Sequence, residues 1–138
     1  MFGAWLRRLL RIDDDLGRRG ERFAAQYLAR LGYRVLQRGR RFRFGELDLI
    51  ALDGRTVVFV EVKTRRGDRR GRPAEAVDGR KQARITRAAL AYLKSHGLLA
   101  NRVRFDVVAL VWPEAVAEPE VTHIRSAFEA GGPRGMFT

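Results

Sequence analysis

The sequence predicts a single α/β domain built on a mixed β-sheet, and three observations carry this prediction. The 138 residues suit one domain with one core, and a hydrophobic content of 46% is enough to fold it. Helical and strand periodicities alternate along the chain in the order helix, strands, helix, strands. The segment "RVRFDVVALVW" (102–112) is apolar on both faces in its middle, which indicates a central strand.

The individual elements follow from local patterns. The aspartates 13–15 are expected to cap a helix from Leu16 to Leu31, which Gly32 ends. "YRVLQR" (33–38) is predicted as a short strand, followed by a basic loop to Gly45. The other predicted elements are a hairpin of "ELDLIAL" and "TVVFVEVK" around Asp53-Gly54, a helix from Val77 to Lys94, and "VTHIRSAF" (121–128) as a strand or a short helix.

We expect residues 1–15 to form an N-terminal extension, residues 16–128 the folded domain and residues 129–138 a loose tail. The opening "MFGAWLRRLLR" is too short and too charged for a signal peptide or a membrane span. This predicts no membrane partner and, by default, a cytoplasmic location. The chain has no cysteine, which excludes disulfides and thiolate metal sites.

The positive charge is concentrated in the middle of the chain. The net charge is +12, and the segments 34–43, 63–72 and 80–87 are rich in arginine and lysine. Such clustering favours a polyanionic partner, most simply nucleic acid, although an arginine-rich surface without function is the alternative. The arginines of residues 38–43 and 65–72 are expected to contact phosphates without reading sequence, and they include Arg38, Arg40, Arg41, Arg43, Arg65 and Arg66.

Three acids are expected to meet at one end of the predicted hairpin. A two-residue turn at Asp53-Gly54 places Glu46 opposite Glu61 and leaves Asp48 diagonal to Glu61. Both faces of these strands also carry apolar residues, so the acids sit at the edge of a covered sheet. Half-buried carboxylates need a partner, and a divalent cation removes their repulsion. The alternative is the solvated face of an exposed sheet.

Three further side chains extend this cluster. Glu21 lies within the apolar arc of the first helix, either as a further ligand or as a boundary glutamate paired with an arginine. Lys63 shares a face with Glu61 and could orient a nucleophile or stabilise negative charge, or only form an ion pair. Lys81 either covers the apolar side of its helix or reaches a phosphate. Asp106 is expected to pair with an arginine, and His123 is assigned no chemistry.

The motifs "GELDLIA" and "VFVEVKTR" resemble the YraN-like family, whose members are grouped with the endonucleases of the restriction-endonuclease-like, or PD-(D/E)XK, superfamily. Archaeal Holliday-junction resolvases are among the relatives of this family. The resemblance runs from about residue 17 to about residue 128 and includes "GERFAAQYLARLGYRVL", "AVDGRKQARITRAALAYL", "RFDVV" and "HIRSAF". The chain departs from the family where Gly39 stands in place of the usual asparagine.

The resemblance implies a restriction-endonuclease-like fold, with a mixed central sheet flanked by helices. It places Asp48, Glu61 and Lys63 at the superfamily's aspartate, glutamate and lysine, Glu21 at the glutamate of the first helix, and Glu46 in the family's own Gly-Glu motif. It implies Mg²⁺-dependent hydrolysis of DNA phosphodiesters, with Mn²⁺ as a substitute. Asp48, Glu61 and Glu21 would be the metal ligands.

Two other function classes stay open on the sequence. One is a nucleic-acid-binding module that keeps this fold but does not cut, which the acid cluster disfavours because carboxylates repel phosphates. The other is a structural domain whose acids merely pair with arginines. A junction cutter needs two active sites, so a symmetric homodimer is the expected oligomer for such a substrate.

Overall fold

The computed structural model describes residues 2–42, 45–67, 77–113 and 118–130, with side chains at these positions from residue 16 onward except at 40–42. Within this part of the chain, helices flank a five-stranded mixed sheet. The elements are α1 (Phe2–Arg30), β1 (Arg34–Phe42), β2 (Gly45–Asp53), β3 (Thr56–Arg66), α2 (Gly79–Ser95), β4 (Val103–Trp112) and β5 (Glu120–Phe128). The predicted α/β fold with a mixed sheet is confirmed, and it is consistent with a restriction-endonuclease-like architecture.

The strands lie side by side in chain order, β1 to β5. Neighbours are antiparallel except for β3 and β4, which are parallel. A parallel pair needs a crossover connection, and α2 supplies it. β4 is central as predicted, and residues 120–128 form a strand rather than a helix. None of the described helices is long and apolar enough to cross a membrane.

The sheet is covered on both faces, as the two-sided apolar pattern predicts. On one face α2 packs Ile85, Ala89 and Leu93 onto strand residues that include Phe59 and Val107. On the other face α1 packs Ala24, Ala25 and Leu28 onto strand residues that include Leu49, Val58, Val60 and Val108. Because helices cover both faces, a charged side chain on the inner strands is accommodated at least cost near the strand ends, where it can reach water.

Helix α1 differs from the prediction at its start and agrees at its end. It begins at Phe2, so the aspartates 13–15 lie inside the helix and do not cap it. Residues 4–16 contain neither glycine nor proline, so nothing in the sequence stops the helix there. At the other end Gly32 has a φ of 94°, and the Tyr33 amide donates to the Leu28 carbonyl at 3.0 Å, the expected glycine-dependent stop.

A buried polar cluster joins β4, β5 and the β2–β3 turn. Asp106 is fully buried and accepts from Arg104 Nε at 2.9 Å and from the Ser126 amide at 3.1 Å, while His123 Nε2 lies 2.8 Å from its Oδ2. Arg104 also donates to Asp53 at 2.9 Å. Burial alone would raise the pKa of Asp106, but hydrogen bonds from His123 and Arg104 outweigh it and hold the pKa below its usual range. The expected pairing of Asp106 with an arginine is therefore confirmed.

Candidate active site

The register of the β2–β3 hairpin differs by two residues from the prediction. Asp53 pairs with Thr56, so Gly54 and Arg55 form the turn, and Gly54 takes a φ of 60° that suits its first position. Continued along the strands, this register places Asp48 opposite Glu61. The predicted Glu46–Glu61 pair is therefore wrong. Asp48 and Glu61 still share a face of the sheet, because a shift of two residues in register does not move a side chain to the other face.

Strands β2 and β3 part next to Asp48. In the described hairpin their pairing ends at Leu49 and Val60. Beyond that point the Val62 amide donates to Asp48 Oδ2 at 2.9 Å, so a carboxylate replaces a strand carbonyl. The alternation of β2 also breaks here, because Leu47 joins the α2-side core instead of the α1-side core that holds Leu49. The parted strands leave an open end to the sheet, with acids on both sides.

The carboxylates of Asp48 and Glu61 share this open end. Glu61 is 7% exposed. Burial, and then the charge of Glu61, raise the pKa of Asp48 from 3.8 to about 8, against the lowering effect of the Val62 amide. A hydrogen bond between the two carboxyl groups adds to the increase. At neutral pH the pair therefore holds a proton that an added cation would displace.

Two lysines surround Glu61. The ammonium of Lys81, on α2, forms an ion pair with Glu61 Oε1, and Lys63 Nζ lies 3.8 Å from the same oxygen. Burial, and then the neighbouring Lys81, lower the pKa of Lys63. Burial would also lower the pKa of Lys81, but its hydrogen bond to Glu61 outweighs this and raises it. Lys81 thus lies at the site, where it was expected to reach a phosphate, and its ion pair with Glu61 was not predicted.

Glu21 approaches from α1, on the opposite face of the sheet from Lys81. Burial raises its pKa, and the charges of Glu46 and Glu61 add to the increase, while Arg38 and Arg18 lower it. These mutual effects place the four predicted acids in one electrostatic neighbourhood.

Gly39, which stands where the resemblance led us to expect an asparagine, lies beside Glu21. A Cβ at Gly39 would lie 3.7 Å from Glu21 Oε2, and the φ of Gly39 is 60°. Glycine and asparagine are the residues that most readily take this left-handed conformation. Glycine therefore suits the left-handed backbone conformation at position 39 and leaves space beside the Glu21 carboxylate.

An open cleft of about 340 Å³ gives access to the acids from the α2 side. Its lining includes Glu46, Asp48, Glu61, Lys81 and Arg84. A larger cavity of about 600 Å³ lies at the other end of the strands, but its lining of Arg55, Thr56, Ala100, Asn101 and Arg102 contains no acid. The smaller cleft is therefore the candidate active site.

The donor set of the cleft suits Mg²⁺. Among the side chains that the structure describes, no three acids or histidines form a ready-made metal centre, and Lys81 already pairs with Glu61. Magnesium, however, commonly takes only one or two carboxylates and completes its shell with waters and substrate phosphate. Asp48 and Glu61, which lie in hydrogen-bond contact beside the open cleft, fit that requirement, with Glu21 as a further donor nearby.

The predicted phosphate-binding arginines are described only in part. Arg38 and Arg66 are exposed, and Arg65 is half-buried. The side chains of Arg40 and Arg41 and the whole of Arg43 lie outside the described residues, as do positions 68–72. The prediction omitted Arg84, an exposed residue of α2 whose Cβ lies 3.7 Å from where a Cβ of Gly45 would be. Only the folded position of α2 over β2 brings Arg84 to the cleft.

Gly20 sets how closely α1 approaches the cleft. A Cβ at Gly20 would clash with the side chain of Thr64 on β3. Gly20→Ala is therefore expected to destabilise the protein by about 1–3 kcal/mol, less the roughly 1 kcal/mol of helix propensity gained, and to displace Glu21. Urea denaturation measures the effect.

Gly17→Ala is the matched control, because a Cβ there would meet nothing within 4 Å on the same helix. It is expected to stabilise the protein by up to about 1 kcal/mol. Equal stabilisation by both substitutions would show that α1 can move away from Thr64 at little cost and that Gly20 does not position the helix.

The fold defines a mixed α/β protein, consistent with a restriction-endonuclease-like architecture, with a cluster of acids and lysines at one end of its sheet. Comparison with known proteins identifies the family. The model of an uncharacterised protein family, UPF0102, matches residues 20–110, and the chain belongs to this family.

Relatives from several bacteria resemble the chain over most of its length. A UPF0102 protein of Rhodopirellula baltica is 55% identical over 126 residues, which are 88% of this chain and 75% of that protein. A UPF0102 protein of Frankia casuarinae is 50% identical over 119 residues, 86% of this chain and 100% of that protein. One from Geobacter sulfurreducens is 51% identical over 116 residues, 83% of this chain and 88% of that protein.

Proposed function

We propose that this protein is a metal-dependent endonuclease that hydrolyses phosphodiester bonds of DNA, with branched or otherwise structured DNA as the expected substrate. The observation that carries the proposal is the Asp48–Glu61 pair at the open end of the sheet. There the pKa of Asp48 rises to about 8, and two lysines approach the Glu61 carboxylate. A structural role alone does not require buried acids that repel one another beside an open cleft.

The residues of the cleft divide the work of phosphodiester hydrolysis. A divalent cation held by Asp48, Glu61 and Glu21 would supply an activated water and offset charge on the phosphate oxygens. Lys63, beside Glu61, orients the attacking water or stabilises the charge that develops on the phosphate. Arg84 and Lys81, which line the cleft, hold the phosphate group in place. For a four-way junction, a homodimer would present two such sites.

A second candidate is a nucleic-acid-binding module that does not cut. The ion pair of Lys81 with Glu61 favours it, because it neutralises one acid without a metal. The raised pKa of Asp48 disfavours it, since a binding module gains nothing from a carboxylate that its own fold destabilises.

Calorimetric titration with Mg²⁺ and Mn²⁺, paired with cleavage of linear, flapped and four-way DNA, tests the proposal. The wild type is expected to bind the cation saturably and to cut at least one substrate. Asp48→Asn keeps an acceptor for the Val62 amide and is expected to lose both properties. Arg55→Gln, in the distant acid-free cavity, is the control and should change neither.

Cation binding and cleavage that both survive in Asp48→Asn would remove Asp48 from the mechanism and overturn the site. A wild type that neither binds the cation saturably nor cuts any of these substrates would favour the binding module.

A further inference from the structure

The outer face of α2 carries a stripe of cations that begins at the cleft. The helix, Gly79–Ser95, contains basic residues but no aspartate or glutamate. Its buried face consists of apolar residues and one threonine. The exposed basic residues recur at intervals of about one and two helical turns, and they are Arg80, Arg84, Arg87 and Lys94. We call these four residues the α2 stripe.

The stripe opposes the stability of the helix that carries it. Like charges four residues apart, such as Arg80 and Arg84, destabilise a helix. Cations in the first turn also face the positive end of the helix dipole, and the first turn of α2 holds no acid. The N-cap Asp78 gives local compensation. The hydrogen bond from the Lys81 amide lowers the pKa of Asp78, and the charges of Arg84 and Arg80 add to the decrease.

The position of the stripe relates it to the acids. Arg84 lines the cleft together with Asp48 and Glu61. From Arg80 to Lys94 the stripe rises roughly 21 Å along the helix, at about 1.5 Å per residue. That length matches about six base steps of a duplex, at about 3.4 Å each. A sugar–phosphate backbone lying on the stripe would therefore pass directly into the cleft.

We propose that the α2 stripe is the track for the substrate's phosphate backbone, and that it delivers the strand to the acids through Arg84. This inference rests on the proposed function for the nature of the ligand and deepens it by giving the path of the strand. The ligand chemistry is a sugar–phosphate backbone, which DNA and RNA share, and the contacts are with phosphates rather than bases.

A pair of charge-matched triple variants tests the stripe, both built on Asp48→Asn so that no strand is cut. The first is Arg80→Gln, Arg84→Gln and Arg87→Gln. The second is Arg34→Gln, Arg55→Gln and Arg102→Gln, three exposed arginines at the end of the sheet away from Asp48. Thermal melting checks that both variants fold, and fluorescence anisotropy at several salt concentrations measures the binding of labelled DNA and RNA duplexes and of polyglutamate.

The stripe variant is expected to bind duplex at least about tenfold more weakly and to lose about three from the slope of log affinity against log salt. The control variant, of equal net charge, should retain most of both. Loss confined to DNA or to RNA would name the backbone that uses the track. Equal losses of duplex affinity in the two variants, or no loss in either, would overturn the track. The track would also be overturned if polyglutamate bound as tightly as the duplex and depended on the stripe to the same extent.

The failure of this inference can be told apart from the failure of the proposed function. Stripe-dependent duplex binding by a protein that cuts nothing would support the track and overturn the nuclease. Cleavage by the wild type, with duplex binding that does not depend on the stripe, would support the nuclease and overturn the track.

Discussion

The metal-free protein is expected to lose stability as the pH rises from 3.8 to about 8, because Asp48 holds its proton across this range only when the chain is folded. In that window the folded state binds more protons than the unfolded state, so the free energy of unfolding falls with increasing pH. For one fully titrating group the slope is about 1.4 kcal/mol per pH unit. The pKa of Asp106 shifts in the opposite direction, so its contribution to stability changes only below its ordinary value of 3.8.

Asp48→Asn isolates this contribution, since the amide cannot ionise but can still accept from the Val62 amide. Urea denaturation at several pH values should show that the variant gains stability over the wild type steadily toward pH 8. Saturating Mg²⁺ should reduce the slope of the wild type alone, because cation binding favours the ionised carboxylate. Glu120→Gln, at an exposed carboxylate of β5, should follow the wild type. If the free energies of unfolding of Asp48→Asn and the wild type changed with pH in parallel, the pKa of Asp48 would not be raised in the folded protein.

Asp106→Asn is expected to destabilise the protein by about 3–5 kcal/mol at neutral pH, because it removes the charge that Arg104 and His123 surround in a buried site. The stabilisation that Asp106 provides is fully present above its ordinary pKa of 3.8 and is lost as the pH falls through its lower folded value. Chemical denaturation at neutral and acidic pH measures both effects.

The matched control is Asp53→Asn, which removes the other carboxylate on the same arginine. Asp53 is 36% exposed and accepts from Arg104 Nη1 at 2.9 Å. An exposed pair of this kind contributes about 0–1 kcal/mol. If Asp53→Asn costs as much as Asp106→Asn, burial is not what makes the Asp106 cluster stabilising.

Local patterns were enough to predict the order of the elements and the convergence of Asp48 with Glu61. Moving the turn by one residue changes the pairing register by two residues, which leaves each side chain on its own face, so Asp48 and Glu61 still meet. The parting of β2 from β3 could not be predicted, because it depends on the Asp48 carboxylate replacing a backbone partner. The ion pair of Lys81 with Glu61 and the place of Arg84 at the cleft were missed for a similar reason, since they depend on where α2 lies over the sheet.

The hydrogen bond from the Val62 amide to Asp48 makes one backbone proton a reporter of the cleft. A hydrogen bond from this amide to a strand carbonyl would be as strong as the others in the sheet. The hydrogen bond to the Asp48 carboxylate has a strength that depends on the charge of that carboxylate. Any ligand that draws Asp48 away exposes the Val62 amide to solvent, and any ligand that fixes Asp48 in its ionised form shields it. Exchange of this proton with deuterium would then register occupancy of the cleft with no label and no turnover.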